Sequence, residues 1–385
     1  MRILCALALL AATIAATAAP RTPAGDAEVL ERLPMRRGDP AMAELRRLRA
    51  AHAARPDDPE PAAALALHYF ELASADGDPR YVGYAEAALV PWRDKPAPAE
   101  VHFARGLLRQ YRHDFDTALQ DFARALQAEP AHTGARAWRA AVYMVRADYA
   151  AARRECDLLA EHASELLATG CRAYADAATG KARPAYERLR AALAARPDAS
   201  REARLWTLTR LAEMASLLGD SAAAERHFRA ALALDVKDNF LRAAYADFLL
   251  EQKRPREVLA LLKGTHSETL LLRLALAGKA LGLAEADKHV RELGERFAAA
   301  ALRKERLHLA EEARYLLDLK GDARGALAAA AENWRLEQRE PRDAAILLEA
   351  AVAARDPGPA LPALRWLEES GYESLRLKNL AAKLK

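Results

Sequence analysis

From about residue 60 onward, apolar positions recur with helical spacing in stretches of about 13–17 residues, and each stretch stops at a Gly, Pro or Asp. Runs rich in Val, Ile and Thr, which would suit strands, are nearly absent. The breaks at Lys95–Pro98, Arg196–Asp198 and Asp356–Pro359 are each a few residues long, and read as turns between helices instead of flexible linkers. The pattern therefore predicts an all-α fold of short helices, each doubling back on the one before. Gly180 and Gly219, and again Gly282 and Gly321, mark inter-helix turns 39 residues apart. Residues 60–95 predict an earlier helix pair with Asp76, Gly77, Asp78 and Pro79 as its turn. One or two leading helices are expected within 26–55, and Glu373–Lys385 reads as a terminal helix with a polar outer face, the cap of an array.

The clearest unit runs from Ala99 to His132, 34 residues, with Gly106, Phe115, Ala118, Phe122, Ala125 and Pro130 at fixed intervals. This unit resembles the tetratricopeptide repeat, whose six signature positions those residues fill. Small residues such as Gly106 and Ala118 let two helix backbones approach, Phe122 would fill the space toward the next unit, and Pro130 cannot continue a helix. Neighbouring units keep the phase less completely. One carries Ala140, Tyr143, Tyr149 and Ala152, the next Ala173, Ala185, Leu189 and Ala192. Beyond them come Ala212, Gly219, Ala224, Phe228 and Ala231, then Ala246, Val258 and Leu262. The resemblance implies a right-handed α-solenoid of antiparallel helix pairs over residues 60–355, preceded by leading helices in 19–59 and followed by C-terminal helices and a cap in 356–385.

Composition agrees with that reading. The chain has 385 residues, more than one ordinary core spans, so an array that grows along one axis is a natural solution. The formal charge of +4 is small and spread along the chain, which gives no reason to expect nucleic acid. The densest basic cluster, Leu45 to Arg49, reads as the solvated side of an amphipathic helix. The first residues differ from the rest. Met1 and Arg2 carry a positive charge, Ile3 to Ala19 is uncharged and apolar, and Ala16, Thr17 and Ala18 form a small-residue cleavage site. That layout predicts a signal peptide over 1–18 and a protein exported to the periplasm or secreted. An uncleaved anchor would need ~20 apolar residues, slightly more than are present.

No constellation for catalysis stands out. Neither glycine-rich phosphate loop is present, Gly180–Lys181 and Gly278–Lys279 lack the preceding glycine, and there is no HExxH or GxSxG. No two of the ten histidines share a helical face at zinc-ligand spacing, and the carboxylate pairs Glu311 with Glu312 and Glu368 with Glu369 point apart. The expectation is no enzyme, no cofactor and no metal. Cys156 and Cys171 are different. Loss of Cys5 with the leader would leave an even pair in an oxidising compartment, equidistant from a turn near 162–164. Repeat phase sends Cys156 into the packed seam and Cys171 toward the groove, so both a disulfide and two separate thiols stay open.

In tetratricopeptide proteins the first helices of successive units line a concave groove that takes a protein partner. The groove positions implied here are Phe103, Leu107 and Gln110, then Trp138, Ala141 and Met144. They continue with Tyr174, Trp206, Thr209 and Glu213, and end at Phe240 and Asp247. Aromatic, methionine and small residues suit an apolar or helical peptide, whereas Phe103 and Leu107 stand where chaperone-binding members use polar clamps. The resemblance therefore implies a protein-interaction scaffold of the cell envelope. The alternative is a structural subunit buried permanently in an envelope or secretion complex.

Overall fold

A computed structural model describes residues 25, 40–93 and 95–384. The predicted leader lies outside them. The chain divides into two compact units, 1–46 and 47–385. In the first, the described residues are Gly25 and the start of helix α1 (Pro40–Ala54). Everything below concerns the second.

The described residues are helical throughout, with no strand among them. The first pair is α2 (Pro59–Asp76) with α3 (Arg80–Leu89), followed by α4 (Ala99–Tyr111) with α5 (Phe115–Ala128) and α6 (Thr133–Val145) with α7 (Tyr149–Leu159). Next come α8 (Glu165–Ala177) with α9 (Ala182–Ala194), α10 (Arg201–Leu217) with α11 (Ser221–Leu232), and α12 (Asn239–Glu251) with α13 (Pro255–Leu261). The rest is α14 (Glu268–Ala280) with α15 (Glu285–Leu302), then α16 (Leu309–Arg314), which widens into a π-helical stretch at Tyr315–Lys320 before α17 (Ala323–Arg335). Three more helices close the fold: α18 (Pro341–Ala354), α19 (Leu361–Ser370) and α20 (Leu375–Ala382).

The turn inside each pair has one recurring device, a residue with positive φ just after the first helix. It is Gly77 (67°), His113 (58°), Ala147 (60°), Gly180 (75°), Gly219 (78°), Lys253 (59°), Gly282 (67°) and Gly321 (70°) in successive units. Glycine takes this conformation without strain, so the glycines were readable in the sequence and the other three were not. Aspartates follow at Asp148, Asp220 and Asp322, each accepting a hydrogen bond from the backbone N–H three residues on and capping the second helix.

Packing within the unit 99–132 corrects one expectation. Phe122, fully buried, lies over Gly106 of its own unit: a Cβ on Gly106 would come 2.5 Å from the ring. The glycine is thus a socket for an aromatic ring. The same device recurs between units, where Phe103 sits on Gly134 and Trp206 on Gly170. Carboxylates sealed between helices are clamped by arginines. Asp121, with no exposed surface, accepts from Arg105 at 2.6 Å and from Arg109. Glu155 pairs with Arg136 and Arg139, and Asp176 with Arg153 and Arg188. Such pairs specify which helix faces meet more than they stabilise, because desolvation offsets most of the attraction.

The last helices return onto the middle of the chain. Residues of α17 to α20 share one apolar cluster with Met144, Tyr149, Ala152, Ala175 and Ala178. Trp366 Nε1 donates to the Tyr149 hydroxyl at 2.9 Å, Arg339 N donates to Val145 O at 2.8 Å, and Arg146 pairs with Glu337 at 2.7 Å. At the other end the α2–α3 turn meets the middle as well. Lys237 pairs with Asp76, and Gly77 lies so close to Ser267 and Asn239 that a Cβ would collide with both. The expected terminal helix, α20, packs through Leu377 and keeps Arg376, Lys378 and Asn379 on an exposed polar face, while the last helices as a group fold back on the array.

The structure joins Cys156 (buried) and Cys171 (half-buried), whose Cα atoms are 5.5 Å apart, in a disulfide between α7 and α8. Peptide mapping without reductant should recover one cross-linked peptide, and Cys156→Ser should lower stability by about 3 kcal/mol in denaturant titrations. Two free thiols in the native protein would contradict the bond.

Candidate functional site

The inner faces of α10, α12, α14, α16 and α18 enclose a solvated cavity of ≈ 540 Å³, closed on one side by Tyr372 and α20. Its walls are amphipathic. Helical spacing puts Arg210 and Glu213 on one face of α10, and Phe240, Asp247 and Glu251 on one face of α12. From across the cavity come Arg273, Glu311 and Arg314, then Glu340, Arg342 and Asp343 at the start of α18.

The charges are arranged in pairs. Arg273, only 8% exposed, holds Asp247 through two hydrogen bonds of 2.7 and 2.9 Å and lies 3.7 Å from Glu311. Arg342 pairs with Glu340 at 2.6 Å, and the Tyr174 hydroxyl donates to the same carboxylate at 3.2 Å. Arg210 is sandwiched between the rings of Tyr174 and Phe240, each 4.6 Å away, and pairs with Glu213 at 2.9 Å. Its Nε is buried without a hydrogen-bond partner. Water still reaches several of these groups: the side chain of Glu213 is 33% exposed and that of Arg342 58%, so screening keeps such pairs weak.

Electrostatics follow from this crowding. Burial pushes the Glu213 carboxyl up, with Arg210 pulling the other way. Burial works to raise Glu340 too, but Arg342, Arg210 and the Tyr174 hydroxyl together hold it below its ordinary value. Asp343 caps α18, accepting from Glu340 N at 2.9 Å and from Asn333 Nδ2 at 3.1 Å. Burial pushes it up to about 7, with Glu340 and Glu311 adding to the rise and Arg342 opposing it. At the α4–α5 turn, burial and then the nearby His308 lower His113 to about 4.

Of the twelve groove residues expected from repeat phase, Met144, Tyr174, Glu213, Phe240 and Asp247 line the cavity. The other seven do not. Leu107 and Thr209 are core residues, each 3% exposed, and the Thr209 hydroxyl donates back to Leu205 O. Phe103 and Trp206 cover the glycines named above, and Trp138 packs edge-on against Phe70 at 5.9 Å. Gln110 and Ala141 are half-buried outside the cavity. Phe103, Trp138 and Trp206 are thus spent on packing one unit to the next, while Tyr174 and Phe240 stay on the cavity wall, where apolar side chains alternate with ion pairs. Repeat phase missed Arg210, Arg273, Glu340, Arg342 and Arg376. A signal existed in α10, where Arg210 and Glu213 stand three residues apart within the largely apolar run from Leu205 to Leu218. Among the described residues no group of three or more His, Cys, Asp or Glu is placed to hold a metal, and no helix is long and apolar enough to cross a membrane.

Consecutive helix pairs, one left-handed turn residue per pair and sockets at small residues recur along the chain. The chain is a helical repeat array of antiparallel helix pairs. No family model and no curated protein sequence matches the array. Among solved structures it is similar to a chain of the anaphase-promoting-complex assembly Cut9–Hcn1 (13% identity, TM-score 0.43), covering 89% of this chain and 52% of that one, about half its length. It is also similar to the Rap protein complexed with competence and sporulation factor (13% identity, TM-score 0.46) and to yeast Tom70 (12% identity, TM-score 0.31), covering 89% of this array and 92% of each of them. At those scores the likenesses add nothing to what the helix pairs show.

Asp343 generates a pH prediction. An acid whose folded pKa lies above its ordinary value stabilises the fold fully below that value, here 3.8, and loses the contribution as pH rises through about 7. The melting-temperature difference between wild type and Asp343→Asn should therefore fall steadily from about pH 4 to about pH 8. A difference that is flat or grows with pH would contradict the shift.

Proposed function

We propose that this array is a protein-interaction scaffold that works outside the cytoplasm and takes a segment of a partner protein into its cavity. The observation that carries the reading is the arginine–carboxylate lining. Charge brought into a fold contributes little net stability, since desolvation offsets most of the pairing energy. A wholly apolar lining would close this space more firmly, so ion pairs set among apolar side chains suit recognition of an amphipathic, charged partner. Phe240, 36% exposed beside two arginines, adds an apolar contact within the same wall. Export is supported by the leader-like layout of residues 1–18 and by the Cys156–Cys171 pair, since disulfides persist in oxidising compartments.

Affinity capture from envelope extract, read by quantitative mass spectrometry, tests this. Asp247→Lys and Phe240→Ser should each reduce the partner's yield about tenfold, the effect of losing roughly 1.4 kcal/mol of binding. Leu158→Ser, at an exposed position outside the cavity, should leave it unchanged. Equal yields from all three variants would overturn the cavity as the binding site.

A further inference from the structure

The segment after α19 behaves as a ligand of the cavity it borders. Tyr372, Leu375, Arg376 and Leu377 all line it. Arg376 donates to Glu251 on α12 and, at 2.5 Å, to Glu349 on α18, so one side chain bridges two distant walls. Glu373 accepts a 2.7 Å hydrogen bond from Ala182 N, at the start of α9, whose own cap residue Lys181 offers no acceptor. Nearby, Gly371 O lies 3.2 Å from where a Cβ on Gly180 would sit, a close approach of two backbones.

Charge identifies what the segment supplies. With Arg376 taken away, four arginines face six carboxylates around the cavity. Burial raises Glu251, with Asp247 and Glu349 adding to the rise, even with Arg376 in place. These carboxylates form a subsite for a guanidinium or ammonium group. The ionic anchor of the present occupant is open to water, the Arg376 side chain being 44% exposed, and its apolar anchor is the single buried side chain Leu377. Ion pairs of that kind are weak and screened by salt. Leu377, with Leu380 and Ala381, lays the apolar side of α20 against the cluster shared with α18. A partner helix with the same side would cover the same surface.

We propose that Gly371–Ala382 is an exchangeable internal occupant of the cavity, and that the partner segment displacing it is a basic helix. That helix presents an arginine or lysine to Glu251 and Glu349, and an aromatic ring four residues earlier, in the place of Tyr372, precedes it. This rests on the scaffold reading and names the chemistry of its ligand.

The test uses the full chain and a fluorescent synthetic peptide with the sequence of residues 371–383. In Arg376→Glu, and in the milder Arg376→Gln, amide exchange should rise over 375–382 and at Ala182 while the rest of the array melts cooperatively as before. Both variants should bind the peptide at least tenfold more tightly than wild type. Adding Glu251→Lys, or changing the peptide's arginine to glutamate, should remove that binding. Unchanged exchange, no gain in peptide binding, or loss of cooperative melting in both variants would overturn the proposal; the last would make the segment a fixed part of the fold. Because the probe is the chain's own segment, this failure is separable from a failed partner capture, which would leave peptide exchange intact.

Discussion

An array of helix pairs ends with an apolar face that has no following unit to cover it, and water cannot be left against that face. Here the face is buried by the array itself. Trp366 and Trp334, packed edge to face at 5.7 Å, lie in one cluster with Tyr149, Ala152 and Ala175, about two hundred residues earlier in the chain. The Trp366 indole finds its acceptor in the Tyr149 hydroxyl, so neither polar atom is stranded. Once α17 to α20 are drawn onto α6 to α8, the inner faces of α10 to α16 look across at α18. Charged side chains on those faces must then find partners at short range. The ionic lining of the cavity is a consequence of that closure.

Local features of this fold were legible in the sequence because their causes are local. Gly180, Gly219, Gly282 and Gly321 announce left-handed turns, and Gly106 announces a close approach. His113, Ala147 and Lys253 occupy the same turn conformation without any side-chain signal. The return of the last helices was not legible at all, since repeat periodicity carries no information about contacts nearly two hundred residues apart. The site was half legible for the same reason. Phase located Tyr174, Glu213, Phe240 and Asp247 on the inner wall, but it could not tell which aromatics would be consumed by neighbouring glycines. Nor could it bring Glu340, Arg342 and Arg376 into view from units far along the chain.

A cavity built this way joins specificity to weak holding. Its outer pairs, Arg342 with Glu340 and Arg376 with Glu251, are reached by water, so a competing segment of matching charge meets little resistance from either of them. Clamps such as Asp121 with Arg105 hold the fold away from the cavity, whereas Phe228, Phe248 and Met214 belong both to apolar clusters and to the cavity lining.

The closure itself is the claim on which the rest stands, and a double-mutant cycle on Tyr149→Phe and Trp366→Phe tests it most directly. If the indole donates to the hydroxyl as described, the two changes will couple by about 1 kcal/mol in denaturant-unfolding free energy. Additivity within about 0.3 kcal/mol would mean that the two side chains do not meet, and that the last helices do not lie where the cavity requires them.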